Sequence, residues 1–304
     1  MSGKKTWNYG KRSTGSVVFD VCNTIFMLLL VIITLYPFLH VLFASFSSPS
    51  QLMTHRGLLL GPVGFSIRGY ELVFRNSYII DGFFVSVFVT IIGTFCNLFM
   101  TSMFAYVLSR RGMLWHAPLT ILVVFTMYFS GGMIPLYFVV RNLNLLDSLW
   151  SLILPGLIST YNLIIVRTAF QGVPGELEES ARLDGAGEIR ILTRVILPLC
   201  MPTLAAIGLF YAVGHWNSWA AALLYIQTPN RFPLQLVLRG ILIQQEGTSA
   251  MMSGVASYEA GEDYAARQLL KYSTIIISIV PIICVYPFLQ KYFTKGIMIG
   301  ALKG

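Results

Sequence analysis

This chain of 304 residues is 56% hydrophobic and only 11% charged, with a mean hydropathy of +0.71. That balance excludes an ordinary water-soluble globular domain and makes lipid the expected solvent for most of the surface. The net charge of +8 does not indicate nucleic acid, because most inward basic residues flank apolar runs instead of forming a stripe with interleaved aromatic side chains.

In chain order, residues 1–16 carry Lys4, Lys5, Lys11 and Arg12 before an apolar run that begins near Val17. The run is too long for a cleaved leader and no small-residue cleavage site follows it, so it is expected to remain as a first helix. A helix rising about 1.5 Å per residue needs about 20 apolar residues to cross the hydrocarbon. Six stretches qualify, at residues 17–45, 82–108, 117–140, 149–170, 197–225 and 269–293. The expected fold is therefore an all-α membrane protein of six transmembrane helices within residues 17–293. Several stretches exceed the bilayer thickness and should tilt. Pro135, Pro155, Pro198, Pro202, Pro281 and Pro287, with Gly131 and Gly132, are expected to kink or weaken them.

Basic residues set the orientation. With both termini in the cytoplasm, Arg110, Arg111, Arg167, Arg182, Arg190, Arg194, Lys291, Lys295 and Lys303 join the N-terminal lysines and arginines inside, as the positive-inside rule requires. Residues 46–81 and 226–268 then form two long outward segments, and 294–304 a cytoplasmic tail.

Enzyme signatures are absent. The chain has no H-E-x-x-H, G-x-S-x-G or complete phosphate loop. His40, His55, His116 and His215 are scattered, and Cys22, Cys96, Cys200 and Cys284 lack C-x-x-C spacing, so neither a metal site nor a disulfide framework is expected.

The most informative segment is residues 174–198, a polar insert between two apolar stretches. Pro174 suits a first helical turn, and Glu176, Glu178 and Glu179 favour the positive end of a helix dipole. Asp184-Gly185 should stop that helix. A second helix over residues 186–196 would place Ile189, Leu192 and Val195 on one face.

Here Glu179-Ser180-Ala181, Gly185 three residues later, and Val195-Ile196-Leu197-Pro198 resemble the E-A-A-x3-G-x9-I-x-L-P loop of bacterial ABC importer permeases. The ending K-G-I-M-I-G-A-L-K-G resembles the carbohydrate-uptake branch, specifically the smaller maltose-permease-like subunit, and those serving oligosaccharides cut from polysaccharides. The resemblance covers essentially the whole chain. It implies a type I ABC importer permease fold with cytoplasmic coupling helices, in the bacterial inner membrane. It further implies a second homologous permease, two cytosolic ATPase subunits that hold ATP and Mg, and an extracytoplasmic sugar-binding protein.

By the same resemblance, Glu179, Ser180, Ala181, Asp184, Gly185, Ala186, Leu197 and Pro198 engage the ATPase. The tail Gly300, Ala301, Leu302, Lys303 and Gly304 enters the ATPase interface; its glycines argue against a helix, and its apolar residues for a segment tucked against protein. Residues 226–268 would meet the binding protein through Glu246–Ser249 and Tyr258–Asp263. Inside the membrane, Tyr211, His215, Trp216, Asn217 and Trp219 offer polar and aromatic groups for a sugar path, with Asn97 and Asn162 as further polar positions. Import of a peptide or an amino acid would use the same engine. An ion-coupled transporter would need an acidic relay in the membrane, which the sequence does not offer. A receptor or scaffold would use the loop to bind a signalling partner.

Overall fold

The computed structural model describes residues 14–110, 115–244 and 264–301. Among them every regular element is helical, and strand-like pairing is confined to one isolated bridge between Ser47 and Phe65. The chain forms two compact units, residues 1–70 with 263–273, and residues 71–262 with 274–304.

In the first unit, α1 (Thr14–Ser45) is apolar on all sides. Phe19, Leu28 and Ile33 are 69%, 57% and 66% exposed, an arrangement that water disfavours and lipid accommodates. The chain then turns through α2 (Pro49–Thr54) and enters α3 (Arg68–Arg75). The Tyr36 hydroxyl accepts the Leu59 N–H at 3.1 Å, the Ser45 and Tyr70 hydroxyls lie 2.9 Å apart, and Phe46 stacks on Phe65.

The second unit is built around α4 (Ser77–Ser109). Gly82, Ser86, Gly93, Asn97, Thr101 and Ala105 are buried along it, a stripe of small side chains at helical spacing that lets neighbouring backbones approach closely. Its carboxyl end is satisfied by charge and dipole, since Arg167 Nε and His116 Nε2 both reach the Leu108 carbonyl at 2.9 Å.

Among the described residues, three helices are long and apolar enough to cross a bilayer without a break: α1, α4, and residues 267–285 of α14 (Tyr264–Ala301). The other three expected spans are each broken. The third bends by 113° between α5 (His116–Tyr128) and α6 (Met133–Asn142), where Gly132 takes a φ of +88° that other residues rarely adopt. The fourth begins as two 3₁₀ turns, Leu149–Leu152 and Leu154–Gly156, and bends by 54° before α7 (Thr160–Gln171); Pro155 cannot donate to an α-helical ladder there.

The fifth expected span, 197–225, starts in the polar insert. Helices α8 (Gly175–Leu183), α9 (Glu188–Ile191) and α10 (Leu197–Leu199) precede an 85° bend into α11 (Met201–Trp216). Pro202 lacks the N–H that would continue the ladder across Cys200. A second break at Asn217–Trp219 leads to α12 (Ala220–Tyr225).

Residues 226–268, expected as an outward segment, contain a helix, α13 (Leu234–Gln244), which packs on α4 with Leu234, Leu236, Val237 and Ile241 buried. The Ser86 hydroxyl accepts the Leu234 N–H at 2.8 Å. Glu246–Ser249 and Tyr258–Asp263 lie outside the described residues. The expectation that the tail is too flexible for a helix is corrected, since α14 runs through Gly300 to Ala301; extending an existing helix avoids the cost of nucleating one, which outweighs the glycine penalty. Leu302, Lys303 and Gly304 lie outside the described residues.

Asp147 organises the connection after α12. Its Oδ1 accepts the N–H groups of Gln227 and Thr228 at 3.0 and 2.9 Å, and its Oδ2 accepts the Thr228 hydroxyl at 2.7 Å and Arg231 at 3.2 Å. Desolvation works against the charge, but the Thr228 hydroxyl, the two N–H groups and Arg231 outweigh it and hold the carboxyl below its ordinary value. A group depressed on folding stabilises in full above its unfolded value of about 3.9 and loses that contribution as pH falls through the lower folded value. Asp147→Asn is therefore expected to lower the melting temperature of the purified protein near neutral pH, and the gap from the native protein should close in strong acid. A gap independent of pH would show that the charge is not what holds the turn.

Candidate functional site

The polar insert folds as two helical arms meeting at a tight corner. α8 ends in a Schellman motif: the Ala186 N–H donates to the Ala181 carbonyl at 2.9 Å and the Gly185 N–H to the Arg182 carbonyl at 3.0 Å. Gly185 supplies the φ of +78° that this closure requires. The expected stop at Asp184-Gly185 is thus the observed one.

The second arm differs from expectation. α9 passes at Leu192 into a π-helical turn, Leu192–Ile196, before α10. Ile191, Leu192 and Ile196 point into the core and Val195 packs partly against it, while Ile189 is 73% exposed. Of the expected face of Ile189, Leu192 and Val195, Ile189 is therefore turned away from the core. The inward residues pack with Ala105, Tyr106 and Leu108 of α4 and Leu163, Val166 and Phe170 of α7.

Glu179, Ser180, Asp184, Gly185 and Pro198 are exposed, whereas Ala181, Ala186 and Leu197 are half-buried against the core. Leu183 at the end of α8 is 90% exposed and Ile189 on the next arm 73% exposed, and Gly185, Gly187, Glu188, Ile189, Arg190, Thr193 and Arg194 line a shallow open concavity. Exposed apolar side chains among acidic and basic ones make this corner suited to a protein partner. Glu178, expected only to favour the positive end of the helix dipole, is buried and ion-paired with Arg110, 68 positions away, a pairing that no local spacing announces.

Among the residues expected to line a sugar path, Tyr211 and His215 join a polar network with Asn97 and Thr101. Asn97 Nδ2 donates to the carbonyls of Gly156 and Leu157, both at 2.8 Å. Its Oδ1 can only accept, so the contact of 2.6 Å with His215 Nε2 places the imidazole proton on that nitrogen. The Tyr211 hydroxyl accepts the Ser159 N–H at 3.0 Å and lies 2.8 Å from the Thr101 hydroxyl. Gly93 makes room for the imidazole: a Cβ there would sit 2.6 Å from His215 Nε2. The break before α7 strands backbone groups in a low-dielectric interior, and these side chains satisfy them.

Trp216 is also engaged, donating Nε1–H to the Ser278 carbonyl at 3.0 Å. Trp219 packs against Ala222, Ile226 and Leu236 and carries the Arg239 guanidinium 3.5 Å above its ring. Asn217 is exposed. Asn162 is buried on α7. The five residues thus do not form one surface, and Tyr211, His215 and Trp216 hold helices together.

A helical membrane fold with broken spans and an exposed, charged helix-turn-helix corner defines a transport component that works through partner proteins. Residues 57–299 match the family described as binding-protein-dependent transport system inner membrane component, and the chain belongs to that family. It is 42% identical over 287 residues to the polygalacturonan/rhamnogalacturonan transport system permease protein YtcP of Bacillus subtilis (strain 168), covering 94% of this chain and 99% of that protein. It is 44% identical to Protein LplC of the same organism, covering 94% and 95%. The fold matches a solved chain of a bacterial ABC transporter involved in the import of the acidic polysaccharide alginate, with a TM-score of 0.83 and 28% identity over 92% of this chain and 98% of that one.

The expected ABC importer permease fold is thus the observed one. Membership makes this chain the membrane component of a transporter, with hydrolysis on a separate subunit. It also implies, in general terms, a partner permease, an ATPase and a substrate-binding protein.

Proposed function

We propose that this chain forms half of a heterodimeric pathway importing oligosaccharides released from acidic polysaccharides. The observation that carries the cargo class is the near full-length 42% identity to a permease named for polygalacturonan and rhamnogalacturonan transport, and the fold match to an alginate importer supports it. The exposed corner from Glu179 to Ala186 is the contact for one of two cytosolic ATPase subunits, which bind ATP and Mg. Both termini lie in the cytoplasm, six helices or broken helices span the inner membrane, and the extracytoplasmic binding protein meets the side bearing Asp147 and α13.

Nucleotide-driven closure of the ATPase pair shifts the permease between inward- and outward-open populations through this corner. The test is ATPase activity of the copurified complex in lipid with its binding protein, comparing uronic-acid with neutral oligosaccharides. Acidic oligosaccharides should stimulate hydrolysis, and Glu179→Ala should weaken that stimulation. Stimulation by neutral sugars or peptides alone would overturn the cargo class; an unaffected Glu179→Ala complex would remove Glu179 from the contact.

A further inference from the structure

α8 is attached to the rest of the protein in an unusual way. Its buried side chain is a carboxylate, Glu178, while Leu177 and Leu183 stay exposed. Burial of apolar area is thus a weak anchor for this arm, in contrast to the second arm, where Ile191, Leu192 and Ile196 enter the core.

Polar contacts close into a ring instead. Glu178 pairs with Arg110, the first residue beyond α4. Arg110 lies over the Tyr106 ring, its guanidinium carbon 4.0 Å from the ring centroid. The Tyr106 hydroxyl donates to Glu188 Oε2 on α9. Glu188 Oε1 accepts from Arg182 Nε and a terminal Arg182 nitrogen at 3.2 and 2.9 Å, and Arg182 is four residues along α8 from Glu178. Two steps of four residues, Tyr106 to Arg110 and Glu178 to Arg182, place each pair on one side of its helix. The ring therefore joins the end of α4 to both arms, with charges alternating in sign around it.

We propose that this ring makes the 174–198 corner and the inner end of α4 move as one rigid body, with Arg110 and Tyr106 as the positioning residues that pass displacement of α8 into the membrane helices. The inference rests on the corner being the ATPase contact. A charge pair shielded from water transmits force in both directions, because separating it leaves each partner desolvated and unpaired. Without it, α8 keeps its exposed contact surface and can still hold a partner, but its motion no longer reaches α4. Arg110 Nε and Nη2 are buried without a hydrogen-bond partner among the described residues, so the guanidinium depends on Glu178 and the Tyr106 ring.

The test uses the assembled transporter in lipid, with the four native cysteines replaced and spin labels at Leu183→Cys on α8 and Val107→Cys on α4. The native ring predicts a narrow label separation that is the same with and without bound ATP. Arg110→Gln should broaden it and lower the ratio of stimulated to basal ATPase activity by about tenfold, while the ATPase still copurifies. Combining Arg110→Glu with Glu178→Arg should recover part of both. If Arg110→Gln does not assemble, Tyr106→Phe removes only the hydroxyl link to Glu188 and should broaden the separation alone.

A native separation that changes with nucleotide, or variants that leave it narrow and coupling intact, would overturn the proposal. The label separation does not depend on cargo. A failed sugar assignment therefore shows as absent stimulation with the ring intact, and a failed ATPase contact as loss of copurification in corner variants that leave the separation narrow.

Discussion

Asn97→Leu is expected to destabilise the protein more than any other single substitution considered. Leucine nearly matches the volume but offers no donor to the Gly156 and Leu157 carbonyls and no acceptor to His215, contacts that Asn97 makes at 2.8, 2.8 and 2.6 Å. Asn97 is fully buried, so water cannot replace it, and each orphaned group costs roughly 1–3 kcal/mol. The thermal midpoint of the purified complex should fall sharply, and transport should fall with it. Tyr211→Phe removes one hydroxyl that bridges Ser159 and Thr101 and should show a smaller loss of the same kind. Native melting of Asn97→Leu with transport abolished would instead mark Asn97 and His215 as part of the cargo path.

Gly185→Val is expected to separate stability from coupling. No atom lies within 4 Å of a Cβ built at this position, so the cost is in the backbone alone: a φ of +78° is strained by roughly 1–2 kcal/mol for a side-chain-bearing residue, most severely for a β-branched one. The strain falls on an exposed corner, and global melting should move little. The angle between α8 and α9 should change, and stimulated ATPase activity of the complex should drop several-fold. Gly185→Asn should be milder, because asparagine tolerates the left-handed region. Equal coupling in the glycine, asparagine and valine proteins would show that the geometry of this corner is not needed.

Much of the architecture was legible from composition and local pattern. Long apolar runs announce helices in lipid, and α1 and α4 are close to their expected extents because no residue within them opposes continuity strongly enough to break them. Asp184-Gly185 announces its turn because only a left-handed residue closes a Schellman motif cheaply. The six expected spans were less secure as continuous rods. Gly132, Pro155 and Pro202 warned of weakness, but bends of 113°, 54° and 85° depend on which neighbours accept the freed backbone groups.

Local sequence thus determined the membrane class, the helical content, the corner and its charged surface, since these follow from hydropathy, helical periodicity and backbone preference over a few residues. Tertiary structure decided the roles of individual polar side chains. Asn97 and His215 are 118 positions apart, and Arg110 and Glu178 are 68 apart; no local periodicity pairs them. Their partners were selected when packing excluded water and left each donor and acceptor to be matched by whichever complementary group the fold brought within reach.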